Sequence, residues 1–307
     1  MKSSRILQLG VFATVVFGGV ETAFADAAYS FTNIDVPGAR DTHASGINGS
    51  GQIVGSFNFF AHGFVNTDGS FSTIDVPGNR DGIEAVGINN LGQIVGWFDS
   101  PVTHGFLYTA GSFTTIDAPG AVLATRATGI NDNGQIVGWF RDATADHGFV
   151  DSGGSFTNID VPEATFTVAA GINNSGQIVG WFGDATGGHG FVDTGGSFTA
   201  IDIPGGRQIE PYGINNNGQI VGSFVAGGAF HGFVYAGGSF TTFDVPGGSL
   251  TRGPFGINDS GQIVGFFYDA SGDHGFLATP VPEPSSSLTL AICLVSLFAT
   301  ACRRKRA

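Results

Sequence analysis

The stretch Gly171-Ile172-Asn173-Asn174-Ser175-Gly176-Gln177-Ile178-Val179-Gly180-Trp181-Phe182 decides how this chain is read, because it returns at Gly46, Gly87, Gly129, Gly213 and Gly256 with few changes. Upstream of each copy stands Ser-Phe-x-x-Ile/Phe-Asp-x-Pro and downstream stands His-Gly-Phe, which makes a unit of about 42 residues recurring six times between Ser30 and Phe276. A period of this size is the mark of a propeller or solenoid, whose units bury their faces only against their neighbours.

Each unit has room for four short strands. In the fourth copy, residues 170–173 and 177–182 flank the Asn174-Ser175-Gly176 turn; residues 189–193 and 197–203 flank Gly195-Gly196. Asn, Asp and Gly at these turns tolerate the left-handed backbone of tight hairpins. No unit holds a helix-length amphipathic stretch, so the class is all-β. The strand Ser30–Pro37 precedes every Gly-Ile-Asn step, and the last unit ends at Phe276 with no fourth strand of its own. The N-terminal strand can therefore complete the last unit and leave no open edge. The expected architecture is a six-bladed β-propeller of four-stranded repeats over residues 26–280. Its periodic phenylalanines, such as Phe31, Phe57 and Phe64, are expected as core fill.

Both ends read as addresses. Lys2 and Arg5 precede an apolar run, and Ala23-Phe24-Ala25 supplies a signal-peptidase pattern, so residues 1–25 read as a signal peptide. Residues 281–307 comprise Val281-Pro282-Glu283-Pro284, an apolar stretch from Leu288 to Cys302, and Arg303-Arg304-Lys305-Arg306. This is the pattern of a C-terminal transmembrane helix with a basic cytoplasmic flank.

That tail resembles a PEP-CTERM sorting signal. The resemblance implies recognition near Pro282, Glu283 and Pro284 by an exosortase-type membrane protease. It also implies delivery to the surface or surroundings of a Gram-negative cell that makes exopolysaccharide. The repeat, with its His-Gly-Phe element, resembles the HAF repeat family of extracellular proteins, although Gly stands here where the family name has Ala. That resemblance implies export and brings no catalytic residues.

Composition narrows the function classes. Between residues 26 and 280 there are 23 acidic residues against six arginines and no lysine, a net charge of −17, which disfavours nucleic-acid binding. The only cysteines, Cys293 and Cys302, lie in the tail, so the body has no disulfide and no thiolate metal site.

Several residue sets could carry chemistry. His62, His104, His147, His189, His231 and His274 stand in register, as do Asp35, Asp75, Asp117, Asp160, Asp202 and Asp244. They form either a ring of acid–base or metal-binding pairs or a repeated structural brace at each unit's corner. The second reading suits six equal copies better, because catalysis needs one unsymmetrical site. The loops hold no EF-hand run, so no metal or other cofactor is expected, calcium being the one ion that the acidic surface makes worth testing. Arg40, Arg80, Arg126, Arg207 and Arg252 fall in the variable connections leading to each unit's first strand. Trp97, Trp139 and Trp181 follow Ile-Val-Gly in three adjacent units and either stack on sugars or pack between blades. These arginines and tryptophans are the candidate ligand-binding residues of a variable loop face. The expected function is that of a noncatalytic surface or matrix protein binding polysaccharide or another surface protein. The alternative is a carbohydrate-active enzyme using Glu84 or Glu210 as proton donor.

Overall fold

The computed structural model describes residues 29–79, 81–248 and 253–281. Within them the chain forms 24 strands and no helix. Each repeat runs as an antiparallel meander. In the fourth, Phe166–Ile172, Gln177–Gly183, Gly188–Thr194 and Ser197–Ile201 pair in that order, from the innermost strand to the outermost. Tyr29–Ile34 pairs antiparallel with Gly272–Pro280, from Tyr29↔Pro280 to Ile34↔Gly275, so the two ends of the described chain share one sheet.

The expected fold class is corrected on two points. Six separate four-stranded blades do not form: there are four four-stranded sheets and one eight-stranded sheet that unites the second and third repeats. The fusion has a local cause. Ile94–Ser100 and Val102–Thr109 are separated by Pro101 alone, and the start of the second of these strands is where the neighbouring repeat joins. The next connection is held toward it, because the Val122 and Leu123 N–H groups both donate to the Arg141 carbonyl. Ala124 then pairs in parallel with Thr103, whose N–H donates to the Leu123 carbonyl at 3.4 Å. The C-terminal transmembrane helix is also no part of the fold described. Among the described residues no helix is long and apolar enough to cross a membrane, and the stretch 288–302 lies outside them, as do residues 1–25, expected as a signal peptide, and Pro282, Glu283 and Pro284.

The core lies between repeats. Phe64, Phe106, Phe149, Phe191, Phe233 and Phe276, the phenylalanines of His-Gly-Phe, are each fully buried. Phe106 packs with Ile83, Ala85 and Ile88 of its own repeat and with Val54 and Ile74 of the preceding one. The first repeat closes on the last in the same way, with Ala44, Ile53 and Phe64 against Val264 and Leu277.

A belt of six asparagines ties the repeats into a ring. The Asn48 Nδ2 donates to the Asn89 carbonyl, and so on through Asn131, Asn173, Asn215 and Asn258, which returns to the Asn48 carbonyl at 3.1 Å. Each Oδ1 accepts backbone N–H groups two and four residues ahead, while Nδ2 also donates to the Gln four residues on. A short buried amide thus satisfies a turn, a strand start and a neighbour together. A glycine precedes each pair of belt residues for a steric reason. A Cβ on Gly46 would lie 2.5 Å from the Val86 carbonyl oxygen, so only glycine lets the innermost strands approach this closely.

The belt yields a stability prediction. Asn131→Ala leaves several buried backbone groups unpaired and should cost about 3 kcal/mol, read as a lower urea midpoint. Asn90→Ala, on the exposed outer turn, should cost about 1 kcal/mol or less.

Candidate functional site

Each innermost strand carries a β-bulge just before its Gly-Ile-Asn step, for example between Ala44 and Gly46, or Ala127 and Gly129. Of the residues around the bulge, the one two before the glycine is buried between repeats, as Ala44, Ala85 and Ala127 are. The residues one and three before it turn to the central channel. These channel positions are where the otherwise uniform repeats differ. Three before the glycine stand His43, Glu84, Arg126, Val168, Glu210 and Gly253; one before it stand Ser45, Val86, Thr128, Ala170, Tyr212 and Phe255. A third variable position lies opposite on the second strand, giving the pairs His43↔Ser56, Glu84↔Trp97, Arg126↔Trp139 and Val168↔Trp181.

Above the glycine neck the channel widens into a cavity of about 690 Å³, open at the end where the variable connections emerge. Aromatic and charged planes follow one another around its wall. Trp181 meets Tyr212 edge to face at 5.4 Å; Tyr212 lies 4.7 Å from Phe255; Phe255 stacks on Phe266 at 5.5 Å. Phe266 stacks on His43 at 4.1 Å, His43 lies 4.9 Å from Phe60, and Phe60 lies 6.4 Å from Trp97. The Arg126 guanidinium completes the series, 4.0 Å from the Trp97 ring and 5.2 Å from that of Trp139.

Phe60 reaches this wall through a strained turn. Asn58, Phe59 and Phe60 all adopt left-handed backbone, with φ of 55°, 58° and 63°. Such residues cost of order 1–3 kcal/mol each and persist only where the surroundings enforce them. The buried Asp41 carboxylate does so by accepting the Phe59 N–H through both oxygens, at 2.9 and 3.0 Å.

The charged groups differ in how they are satisfied. His43 is buried, and its Nε2 pairs with Asp273 at 3.2 Å while its Nδ1 has no hydrogen-bond partner. Burial raises the Glu84 carboxyl above the ordinary glutamate range, against the opposing charges of Arg126 and His43 and hydrogen bonds from Ser45 and Trp97. Burial likewise lowers Arg126.

The cavity gathers only part of the expected residue set. Trp97, Trp139, Trp181 and Arg126 line it together. Arg126 sits within the innermost strand Ala124–Ile130 rather than in a connection, because that strand begins four residues before the sequence pattern placed it. Arg207 likewise opens the strand Arg207–Ile214 and is exposed. Arg40 is exposed beside the mouth, its backbone N–H donating to Asn58 Oδ1. Arg80 and Arg252 lie outside the described residues, and Val281 is the last residue within them. Glu84 lines the cavity. Glu210 stands three repeats away, across the ring, where it accepts the Tyr212 hydroxyl. Sequence reasoning missed His43, Ser45, Phe60, Tyr212, Phe255 and Phe266, whereas Asp273 falls in a connection of the loop face that the sequence pattern marks. The signal available was positional variability one and three residues before each Gly-Ile-Asn.

The repeated histidines and aspartates do not enter the cavity. Each His Nδ1 pairs with the Asp thirteen residues later, from His62–Asp75 at 2.9 Å, through His104–Asp117, His147–Asp160 and His189–Asp202, to His231–Asp244 at 3.1 Å. His274–Asp35 completes the set through the strand pairing that joins the two ends. Among the described residues no group of three or more His, Cys, Asp or Glu is placed to hold a metal.

Glu84 supplies a test. A carboxyl raised by burial contributes its stability below the ordinary glutamate range, near pH 4.3, and loses it as pH rises through the raised value. Glu84→Gln should therefore melt at a higher temperature than the parent at pH 7–8, and the difference should close on acidification below pH 4.

No protein-family profile matches the sequence, and no curated protein matches it. Solved structures do share its fold. A virginiamycin B lyase from Staphylococcus aureus superposes with a TM-score of 0.56 at 15% identity, covering 83% of this chain and all of that one. A putative TolB from Agrobacterium tumefaciens gives 0.56 at 13% identity over 79% of this chain and 91% of its own. A gluconolactonase from Xanthomonas campestris gives 0.52 at 11% identity over 85% and 93%. At these identities the likeness is one of architecture: the chain is a β-propeller scaffold with a central cavity.

Proposed function

We propose that this protein is an exported, noncatalytic surface or matrix propeller that binds carbohydrate in its central cavity. The observation that carries the reading is the near-continuous wall of aromatic planes, Trp181 through Tyr212, Phe255, Phe266 and Phe60 to Trp97, interrupted by hydrogen-bonding groups. Pyranose rings offer apolar C–H faces and polar edges, and an aromatic wall studded with donors and acceptors is complementary to both. The cavity is wide on the side where the connections emerge and narrow at the asparagine belt, which suits the end of a glycan chain or a short branch. Its setting supports the same reading. The PEP-CTERM-like tail and the signal-peptide pattern imply passage through signal peptidase and an exosortase-type protease to a cell surface where polysaccharide is abundant.

The binding face thus moves from the rim of connections to the channel. Exposed Arg40 and Arg207 become flanking residues, and Arg126 becomes part of the wall.

The test is a glycan array followed by calorimetry on the purified full-length protein, with and without calcium. Trp181→Ala should weaken binding about tenfold or more, as removal of a buried aromatic anchor does, with Trp181→Phe losing less. His104→Ala, on the outer surface, should bind as the parent does. Failure of every glycan to bind would overturn the reading. Consumption of a glycan in place of saturable binding would replace it with the carbohydrate-active alternative.

A further inference from the structure

Arg126 lines the cavity wall and makes no direct ion pair among the described residues, although the nearby charges of Glu84 and Asp99 act on it. Around it each acidic side chain is engaged elsewhere: Asp273 pairs with His43 Nε2, both carboxylate oxygens of Asp146 accept from Arg141, and Asp99 Oδ1 accepts the Thr103 hydroxyl at 2.7 Å. Glu84, beside it, accepts from Ser45 Oγ. The Arg126 guanidinium has no hydrogen bond or ion pair among the described residues, and its Nε is buried without any partner. A partly buried guanidinium whose Nε is buried without an acceptor is costly, and a ligand in the cavity would supply the missing acceptor.

Its setting also fixes how that ligand must approach. The guanidinium carbon lies 4.0 Å from the Trp97 ring centroid and 5.2 Å from that of Trp139, and the N–H donors of a guanidinium point outward in its own plane. A planar carboxylate meets such an edge with two parallel N–H···O bonds, a geometry that a hydroxyl cannot reproduce. Burial also works against charge on Glu84, so repulsion of an incoming anion is reduced at this point of the wall. The surrounding surface is strongly acidic, and it would turn away an anion that lacked this single receptor.

Resting on the carbohydrate reading of the cavity, we infer that its ligand is an acidic sugar, a uronic acid whose carboxylate docks on the edge of Arg126 while its ring lies along the aromatic wall. The protein thereby selects acidic from neutral glycans with one residue rather than with a basic patch.

The experiment measures, by calorimetry on the full-length protein, binding of a uronic-acid trisaccharide and of the same trisaccharide with its carboxylates reduced to hydroxymethyl groups. The parent should prefer the acidic form by about tenfold or more, the scale of charge-assisted hydrogen bonds. Arg126→Met preserves an apolar stem over the indoles; it should erase the preference, so that the acidic and the neutral sugar bind alike. Arg126→Lys should keep only part of the preference, since an ammonium lacks the planar fork. Because a partly buried charge without a direct ion pair is removed, the melting temperature of Arg126→Met should be no lower than that of the parent.

Equal binding of the two sugars by the parent would overturn the inference and leave the carbohydrate reading standing. So would a preference that survives in Arg126→Met. A stronger response to a sulfated trisaccharide would overturn the carboxylate assignment. Binding of none of them would overturn both. The comparison of sugars on the parent protein decides the matter even if either variant does not fold.

Discussion

The belt of six buried asparagine amides is the constraint on which the rest depends. Each amide links its own turn to the next repeat, and Asn258 returns the chain of donors to Asn48. A buried amide that loses any one of these partners pays its desolvation in full, so the repeats are held in register as a set. The belt also narrows one end of the channel, leaving beyond it only a space of about 70 Å³. The wide part of the channel therefore lies toward the opposite end, where the connections emerge.

Repetition and function occupy different atoms of the same strands. Positions that touch a neighbouring repeat, such as Phe149, Val137 and Ala127, are nearly invariant from unit to unit because each meets the same surroundings six times. Positions that face the channel meet no repeated neighbour, and they are free to differ. This freedom is what makes an unsymmetrical site on a symmetrical scaffold. His43, Glu84 and Arg126 are equivalents in three successive repeats, yet they form three chemically distinct parts of one wall. The strained turn at Asn58–Phe60 adds a further asymmetry, since among the described residues only the first repeat sends an aromatic ring to the cavity from a connection.

The repeated His–Asp pairs show the converse. They are the most conspicuous titratable pattern in the sequence, yet each lies on the outer part of its sheet, joining the third and fourth strands. In four repeats the other ring nitrogen is also engaged locally, by the Ser100 carbonyl, Asp142, Thr186 or Ser271. Equal pairs in equal settings brace equal corners. Groups with unequal neighbours are the ones the cavity uses.

Periodicity by itself determined that this chain is all-β, that its repeats are meanders with Gly-rich turns, and which phenylalanines fill the core, because each of these follows from contacts within one unit or between identical units. It did not determine that the second and third repeats share a continuous sheet. That depends on Thr103 pairing with Ala124, at the end of a connection held by the Arg141 carbonyl. Nor did it separate Arg126 from the exposed arginines, since all were read as lying in variable connections. Only the tertiary structure decided that, by starting the innermost strand earlier and bulging it before the glycine, so that Arg126 faces the channel between two indoles while Arg40 and Arg207 face solvent. The physical reason is closure. A residue's place in its repeat sets which face it occupies, but its partners in the channel belong to other repeats, and they are brought to it only when the ring closes.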